Sequence, residues 1–434
     1  MVVEQRGAQE QPTGEINLDT KDESQPKAKP FVISKQMVME AYRKVKSNGG
    51  VAGVDGESLK EFESDLKRNL YKLWNRMSSG SYFPPPVKAV EIKKAGGGKR
   101  TLGIPTVADR IAQTVVKMVL EPVVEPVFDA DSYGSRPKKS AHQALATARE
   151  RCWQKDWVID LDIKGFFDSL DHNLIMKAVA WHTDNPWVLL YVKRWLIAPL
   201  QKQDGSLEAR TVGTPQGGVI SPLLANLLMH YAFDTWMRRS HPGIDFERYV
   251  DDGIVHAGSL AEAERLLESI RERLRECRLE LHPVKTKIVH CRDDRRPDRY
   301  EQEQFDFLGY TFRARLSKTK WGKLFVGFSP AISRAAALKI HDEVRSWHLT
   351  RQWSTVSAEA LGKWLSPKVR GWLQYYGKFS PWALRPLLSH LRRCIRRWAQ
   401  RKQKSLRHSG NRAARWVNRL ALKEPRFAWL QGVH

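Results

Sequence analysis

The 434-residue sequence predicts an α+β fold in two parts: a sheet-bearing body over residues 31–328 and an all-helical region from residue 329. Three observations carry this reading. From Phe31 onward, segments of helical and of strand character alternate. Beyond Pro330 only helical signals remain. Between them, Tyr249-Val250-Asp251-Asp252 sets two adjacent carboxylates between the runs Phe246 to Val250 and Gly253 to Val255, the pattern of a strand, a tight turn and a second strand.

In chain order, Met1 to Pro30 is polar and reads as a disordered tail, with no apolar stretch of the signal-peptide kind. Ser34 can cap a helix running through Val45, and Gly49 to Gly56 is a loop. Val87 to Lys93, a turn at Ala95 to Gly98 and a return over Lys99 to Leu102 make a hairpin that projects Lys94 and Arg100. In the next strand, alternation sends Ile159, Leu161 and Ile163 to one face and Val158, Asp160 and Asp162 to the other. Ser221 before Pro222 starts a helix in which Leu224, Leu227, Leu228 and Tyr231 form a buried face. Gly217 and Gly218, lacking β-carbons, let the backbone approach a base or sugar closely. Gly253 eases the bend of the Asp251-Asp252 hairpin. Past Pro330, Val369, Trp372, Leu373 and Tyr376 make one apolar stripe, and Leu384, Leu387, Leu388, Leu391, Ile395 and Trp398 another. On that last helix Arg393, Arg396 and Arg397 fall on the opposite face, so one side packs and the other meets phosphate.

Charge points the same way. The net charge is +25, which suits a polyanionic partner. Residues 331–434 hold 22 Lys and Arg against 4 Asp and Glu, and 8 of the 16 tryptophans. Basic groups neutralise phosphates and aromatic faces stack unpaired bases, although most of these tryptophans read better as the core of a helical domain. No apolar run reaches the roughly 18 residues of a membrane span. Cys152, Cys277, Cys291 and Cys394 are scattered and the histidines show no ligand spacing, so neither a disulfide framework nor a zinc site is indicated. An intracellular, reduced protein is expected.

Adjacent carboxylates repel, so a fold holds Asp251 and Asp252 together only if something cationic neutralises them. Magnesium, a hard ion that prefers oxygen ligands, is the natural candidate. Asp162 is expensive to bury on a mostly apolar strand unless paired or metal-bound, and it would complete a three-carboxylate cage. Such a cage holds two ions about 4 Å apart on the attacking and leaving oxygens of a phosphoryl transfer, with Mn2+ able to substitute. Asp160 reads either as a support behind the cage or as a solvent-facing partner for Lys or Arg, and Asp168 as a helix cap rather than a ligand.

Asp162 to Asp168, Thr214-Pro215-Gln216-Gly217-Gly218 and Tyr249 to Asp252 resemble, in order and spacing, the A, B and C blocks of a reverse transcriptase. The particular versions are similar to those of group II intron-encoded reverse transcriptase/maturases, as are Arg100 to Arg110, Ser132 to Pro137 and Phe305 to Tyr310. The resemblance runs from about residue 31 to the C-terminus. It implies a right-hand polymerase, with fingers and palm over residues 31–328, a helical thumb or maturase domain over 329–398, and a basic segment over 399–434 that gives a minimal DNA contact.

The resemblance also assigns roles. Asp162, Asp251 and Asp252 become the metal-binding catalytic trio. Lys94 and Arg100 match the fingers cations on the triphosphate, and Gln216 a hydrogen-bonding contact to the nucleotide. Phe167 matches the ring beneath the incoming sugar, which would exclude a 2′-hydroxyl, with core packing as its competing role. Lys285 matches a lysine placed to protonate departing pyrophosphate. Arg136 lies where the family contacts template backbone, although Ser135 and Lys138 replace its more usual aromatic and glycine. The Gly49 to Gly56 loop corresponds to a segment that touches template or intron RNA, or merely joins two helices. Implied partners are intron RNA in a ribonucleoprotein, an RNA template with DNA primer, target DNA and dNTPs, in the bacterial cytoplasm or nucleoid and away from membranes. The chain shows no His/Asn and cysteine-pair extension before His434, so no endonuclease activity is expected, and priming would use a strand already present. The alternatives are a related polymerase recruited to DNA repair or phage defence, favoured slightly by Val250 where the family more often has Ala, and a non-catalytic RNA-binding maturase.

Overall fold

Ser34 starts the first helix of the computed structural model as read, accepting a hydrogen bond from the Met37 amide at 3.0 Å. The structure describes residues 29–93, 98–319 and 321–432; the predicted tail up to Ala28 and the fingers cation Lys94 lie outside them. Helix α1 (Lys35–Asn48) runs three residues past Val45 and stops at Gly49, whose φ of 66° suits glycine. Two further helices, α2 (Leu59–Ser64) and α3 (Leu66–Ser78), complete an N-terminal cluster. The glycine loop between α1 and α2 is clamped rather than loose: the Arg110 guanidinium donates to the Gly49 and Val51 carbonyls, both at 2.9 Å.

Strands β1 (Val87–Lys93) and β2 (Lys99–Ile104) form the predicted hairpin. Helix α4 (Val107–Val124) follows, then α5 (Ala141–Gln154) and strand β3 (Trp157–Leu161). The chain continues through α6 (Phe166–Ser169), α7 (His172–His182), α8 (Pro186–Ile197) and the short strands β4 (Leu200–Gln201) and β5 (Leu207–Glu208). Helix α9 (Ser221–Met229) leads through one π turn into α10 (Thr235–Ser240), and β6 (Phe246–Tyr249), β7 (Asp252–Ala257), α11 (Leu260–Glu276) and β8 (Lys287–His290) close the palm. A last sheet comprises β9 (Gln304–Phe307), β10 (Tyr310–Lys318) and β11 (Leu324–Ile332).

The palm sheet has the order β6-β7-β3-β8, all antiparallel. Its two faces are both covered. Ile159, Leu161 and Ile163 belong to the main core with α9 and α11, as the alternation predicts. Val158, Ile254 and Val289 face a second core shared with α5 and the β9–β11 sheet, so the far side of β3 is not a solvated face.

Helices α12 (Arg334–Ser346), α13 (Leu349–Gln352), α14 (Ala358–Tyr376), α15 (Arg385–Lys402) and α16 (Gly410–Lys423) build the helical domain. The stripe from Leu384 to Trp398 is buried as expected, and Trp347, Trp398 and Trp429 are core residues. Ala413, Val417, Ala421 and Phe427 pack into that same core. The expected separate segment from residue 399 is therefore corrected: its described part is an integral layer of the domain, because α16 carries its own apolar face. An aromatic latch joins this domain to the palm: Tyr375 donates to the Leu308 carbonyl at 2.9 Å and its own carbonyl meets Tyr310 and His142. Among the described residues no helix is long and apolar enough to cross a membrane, and all four cysteines are free thiols.

Candidate active site

Asp162, Asp251 and Asp252 are brought to one end of the palm sheet. Leu161 pairs with Gly253 across β3 and β7, which sets the next residue, Asp162, beside the tip of the β6–β7 hairpin. The hairpin closes at the pair Tyr249 and Asp252, leaving a two-residue turn of Val250 and Asp251. The residue that bends is not Gly253, as expected, but Val250, with φ at 63°. A β-branched side chain in that region is strained, since its β-carbon crowds the following carbonyl. Gly253 instead lies in the strand, where a β-carbon would stand 3.3 Å from Leu161 Cδ1.

What holds the strained tip is a buried polar network that the sequence reading missed. Arg248, 1% exposed, forks onto the Asp234 carboxylate at 2.7 and 2.6 Å. Its remaining nitrogen donates to Asn226 Oδ1 and to the Val250 carbonyl, both at 3.0 Å. Asn226 in turn donates to the Gly134 carbonyl at 2.7 Å. A β-carbon on Gly134 would come within 2.6 Å of the Val250 amide nitrogen, so glycine is needed there for close approach. Asp234 ends the π turn between α9 and α10, and Arg273 satisfies the Tyr231 and Ala232 carbonyls that this turn frees, both at 3.1 Å. The charged pair Glu247-Arg248 directly preceding Tyr249 in a strand was the available signal, since such charges must find partners when the strand is buried.

The electrostatics of the trio follow from crowding. Burial, then the charges of Asp251 and Asp162, push the Asp252 carboxyl up to about 7. Asp251 is also raised, mainly by burial, with Arg100 and Lys285 pulling the other way. Asp160 is lifted to about 7 by burial, opposed by Lys287, its register partner on β8. Lys287 thus tempers the Asp160 charge from the neighbouring strand without a direct ion pair to it, and Asp160 lies in a half-buried setting behind the trio rather than in solvent. The Lys285 ammonium rests on Asp162, at 3.0 and 3.2 Å from its two oxygens. Among the described residues no three carboxylate, imidazole or thiolate groups form a ready-made metal cage. The donor set is nevertheless all oxygen, crowded and short of positive charge, which suits a hard divalent cation.

A cleft of about 1080 Å³ opens in front of this end of the sheet, lined by Asp162, Asp251, Arg100, Phe167, Gln216 and Lys285 among others. Five of the predicted nucleotide contacts and acids thus join one wall with Lys285. The Arg100 guanidinium donates to the Gln216 side chain, tying two of them together. Phe167 packs edge-on against the buried Phe166, with centroids 5.2 Å apart, and its carbonyl accepts from the Thr214 amide at 2.8 Å. The Gln216 loop is braced by residues that the sequence reading did not single out. The Gly103 amide donates to the Gln216 carbonyl at 2.8 Å, and Gln113 Oε1 accepts from the Val219 amide at 2.7 Å. The close approach permitted by Gly217 is to this chain itself, since a β-carbon would meet the Gly103 carbonyl at 2.6 Å.

Two further expectations are corrected. Arg136 does not face a template: its side chain is 6% exposed and is spent on Glu125, at 2.8 Å, and on the Asp129 and Ser132 carbonyls. Asp168 lies inside α6, and the cap of the following helix is Asp171, which accepts from the Leu174 amide at 2.9 Å. Helix α9 starts at Ser221 as read, with Pro222 in its first turn; the Ser221 hydroxyl pairs with Thr214 at 2.9 Å, and the described side chains of α9 are buried almost all round. Lys138 occupies a left-handed conformation, φ 60°, which explains why glycine would be at ease there. In the helical domain Arg393 and Arg397 are exposed and Arg396 is half-exposed, opposite the buried stripe.

The fold and this cleft define a template-directed nucleotidyl transferase. The chain belongs to the reverse transcriptase family: the pattern of reverse transcriptase (RNA-dependent DNA polymerase) matches residues 92–312. Residues 337–416 match the group II intron, maturase-specific domain, so it is of the intron-encoded reverse transcriptase/maturase type. It is 30% identical over 337 residues to protein YkfC of Escherichia coli (strain K12), covering 68% of this chain and 84% of that one. Over 203 residues it is 31% identical to the group II intron-encoded protein LtrA of Lactococcus lactis subsp. cremoris, covering 46% of this chain and 33% of LtrA. A 91 kDa protein in the cob intron of Schizosaccharomyces pombe is 31% identical over 204 residues, 46% of this chain and 25% of that one.

Proposed function

We propose that this RNA-directed DNA polymerase binds a group II intron RNA, assists its splicing and copies it into DNA during retrohoming. The observation that carries the reading is the meeting of Asp162 and Asp251 with Arg100, Phe167 and Gln216 around one cleft, with Asp252 close enough to raise and be raised by their charges and lining the adjoining depression beside Asp162. The three carboxylates would hold Mg2+. When bound, that metal lowers the pKa of a primer 3′-hydroxyl and neutralises triphosphate charge. The remaining work falls to side chains. Arg100 offers a fork to phosphate oxygens, Gln216 a hydrogen bond to the nucleotide, and the Phe167 ring a wall against the sugar. Lys285 pairs with Asp162 and would supply the proton to a departing pyrophosphate. RNA binding is supported by the maturase-specific pattern and by the exposed cations of α15 and α16.

Magnesium-dependent dNTP incorporation on an RNA template with a DNA primer tests the catalytic reading. Asp251→Ala abolishes incorporation while binding of a structured RNA persists; wild-type incorporation in that variant would overturn the assignment. Phe167→Val raises rNTP incorporation relative to dNTP, and unchanged sugar discrimination removes the gate role. An intron ribozyme in the DNA flanking the reading frame supports retrohoming, and its absence would assign the polymerase to another task.

A further inference from the structure

The β10–β11 hairpin reaches past the body it belongs to. Its base is core: Phe312 and Phe328 are fully buried. Only Tyr310 to Arg313 pair with β9. Beyond them Asp294 still braces β11, its amide donating to the Val326 carbonyl at 3.2 Å and its carboxylate accepting from the Val326 amide at 2.8 Å. Among the described residues the hairpin therefore runs on without a neighbouring strand or brace only past the Leu316–Val326 pair. From Thr311, which pairs with Asp306 at the edge of the acidic cleft, to Lys318 is seven residues, roughly 24 Å of extended strand. The tip is therefore remote from the reacting atoms.

The side chains of this extension are unusual for a free edge. Leu316, Leu324 and Trp321 are 63%, 60% and 82% exposed. The Phe325 ring lies over Gly327, where a β-carbon would be 3.1 Å from it, so the flat strand backbone carries an aromatic face outward. From Thr311 to Ser333 the sequence has five Lys or Arg and no Asp or Glu. The Thr319 amide bonds the Lys323 carbonyl at 2.8 Å and the Gly322 amide bonds the Thr319 carbonyl at 3.0 Å. Lysines 318 and 323 flank the exposed indole, and the Lys318 stem lies 3.5 Å from where a Gly322 β-carbon would be.

Exposed aromatic surface with uniform positive charge is poorly suited to a protein core partner and well suited to nucleic acid. We infer that the β10–β11 hairpin tip is a docking finger for RNA outside the polymerase cleft, with an unpaired base stacked on Trp321 and phosphates on Lys318 and Lys323. It rests on the reading of this chain as an RNA-binding polymerase and names a surface for it. All three side chains stand at a turn, so substitution there leaves the packed cores intact.

The test uses the full chain and a fluorescein-labelled RNA stem-loop with a twelve-nucleotide unpaired arm, titrated by anisotropy. Trp321→Ala weakens binding about tenfold, the scale of one lost base stack. Lys318→Glu with Lys323→Glu weakens it further and flattens the dependence of log Kd on log salt by roughly one. Extension of a short RNA template–DNA primer duplex stays at the wild-type rate in both variants. Unchanged RNA affinity in both overturns the proposal. So does an equal fall in primer extension, which would put the hairpin on the template–primer, and so does a changed sedimentation coefficient with unchanged RNA affinity, which would make it a contact between copies of this chain. Absence of primer extension by the wild-type protein would count against the polymerase reading alone, since the RNA titration is read separately.

Discussion

The acidic hairpin of the palm and the arginine faces of the helical domain both carry the charge that the proposed function calls on, and they are built in opposite ways. At the hairpin, Asp251 and Asp252 sit on a turn whose strained Val250 is fixed by Arg248, Asp234, Asn226 and Gly134, every one of the polar side chains buried. On α15, Arg393 and Arg397 project into solvent from a helix held mainly by its apolar stripe, with Trp398 and Lys402 bonding the Trp353 and Val356 carbonyls. Chemistry at a reacting bond tolerates little misplacement, so it is over-determined by structure. Grip on a phosphate backbone is a sum of weak, screened contacts, so number matters more than position.

Breaking the buried pair gives the largest effect. Asp234→Ala leaves the Arg248 charge without its partner, and the unfolding free energy in urea falls by about 3–5 kcal/mol. The double variant Asp234→Leu, Arg248→Met sharpens the contrast. Apolar replacement recovers most of that stability, but the Val250 carbonyl still lacks its donor, so dNTP incorporation stays low. If incorporation returns together with the urea midpoint, the network serves folding and not the placement of the acids.

Gly134→Ala is next. The added methyl meets the Val250 amide at 2.6 Å, costing about 1–3 kcal/mol as overpacking and displacing the tip. Incorporation then falls on the order of 100-fold while RNA affinity, measured by filter binding, is unchanged. The smallest effect belongs to the helical domain. Arg393→Ala with Arg397→Ala alters stability within about 0.5 kcal/mol. It weakens RNA binding and lowers the salt slope by about 0.7 per lost phosphate contact. A stability loss comparable to that of Asp234→Ala would erase the distinction between the two regions.

The same contrast marks what could be read in advance. The α1 cap, the fingers hairpin, the alternation of β3 and the stripe of α15 were legible because each depends on neighbours in sequence. Arg136 was misread as a template contact because its partner Glu125 lies eleven residues upstream, across a loop whose path the sequence does not show. The bend at Val250 was assigned to Gly253 because glycine is the usual occupant of such turns; tertiary contacts from Gly134 and Arg248 override that preference.

By itself, the sequence determined the order of helices and strands, the excess of positive charge and the acidic residues available for phosphoryl chemistry, since periodicity, composition and motif spacing are local properties. Only the tertiary structure decided which carboxylates meet, which arginines are spent inside and how far β10 and β11 extend beyond their sheet. Those outcomes depend on contacts between segments tens to hundreds of residues apart, and a buried charge takes its role from the partner that folding brings to it.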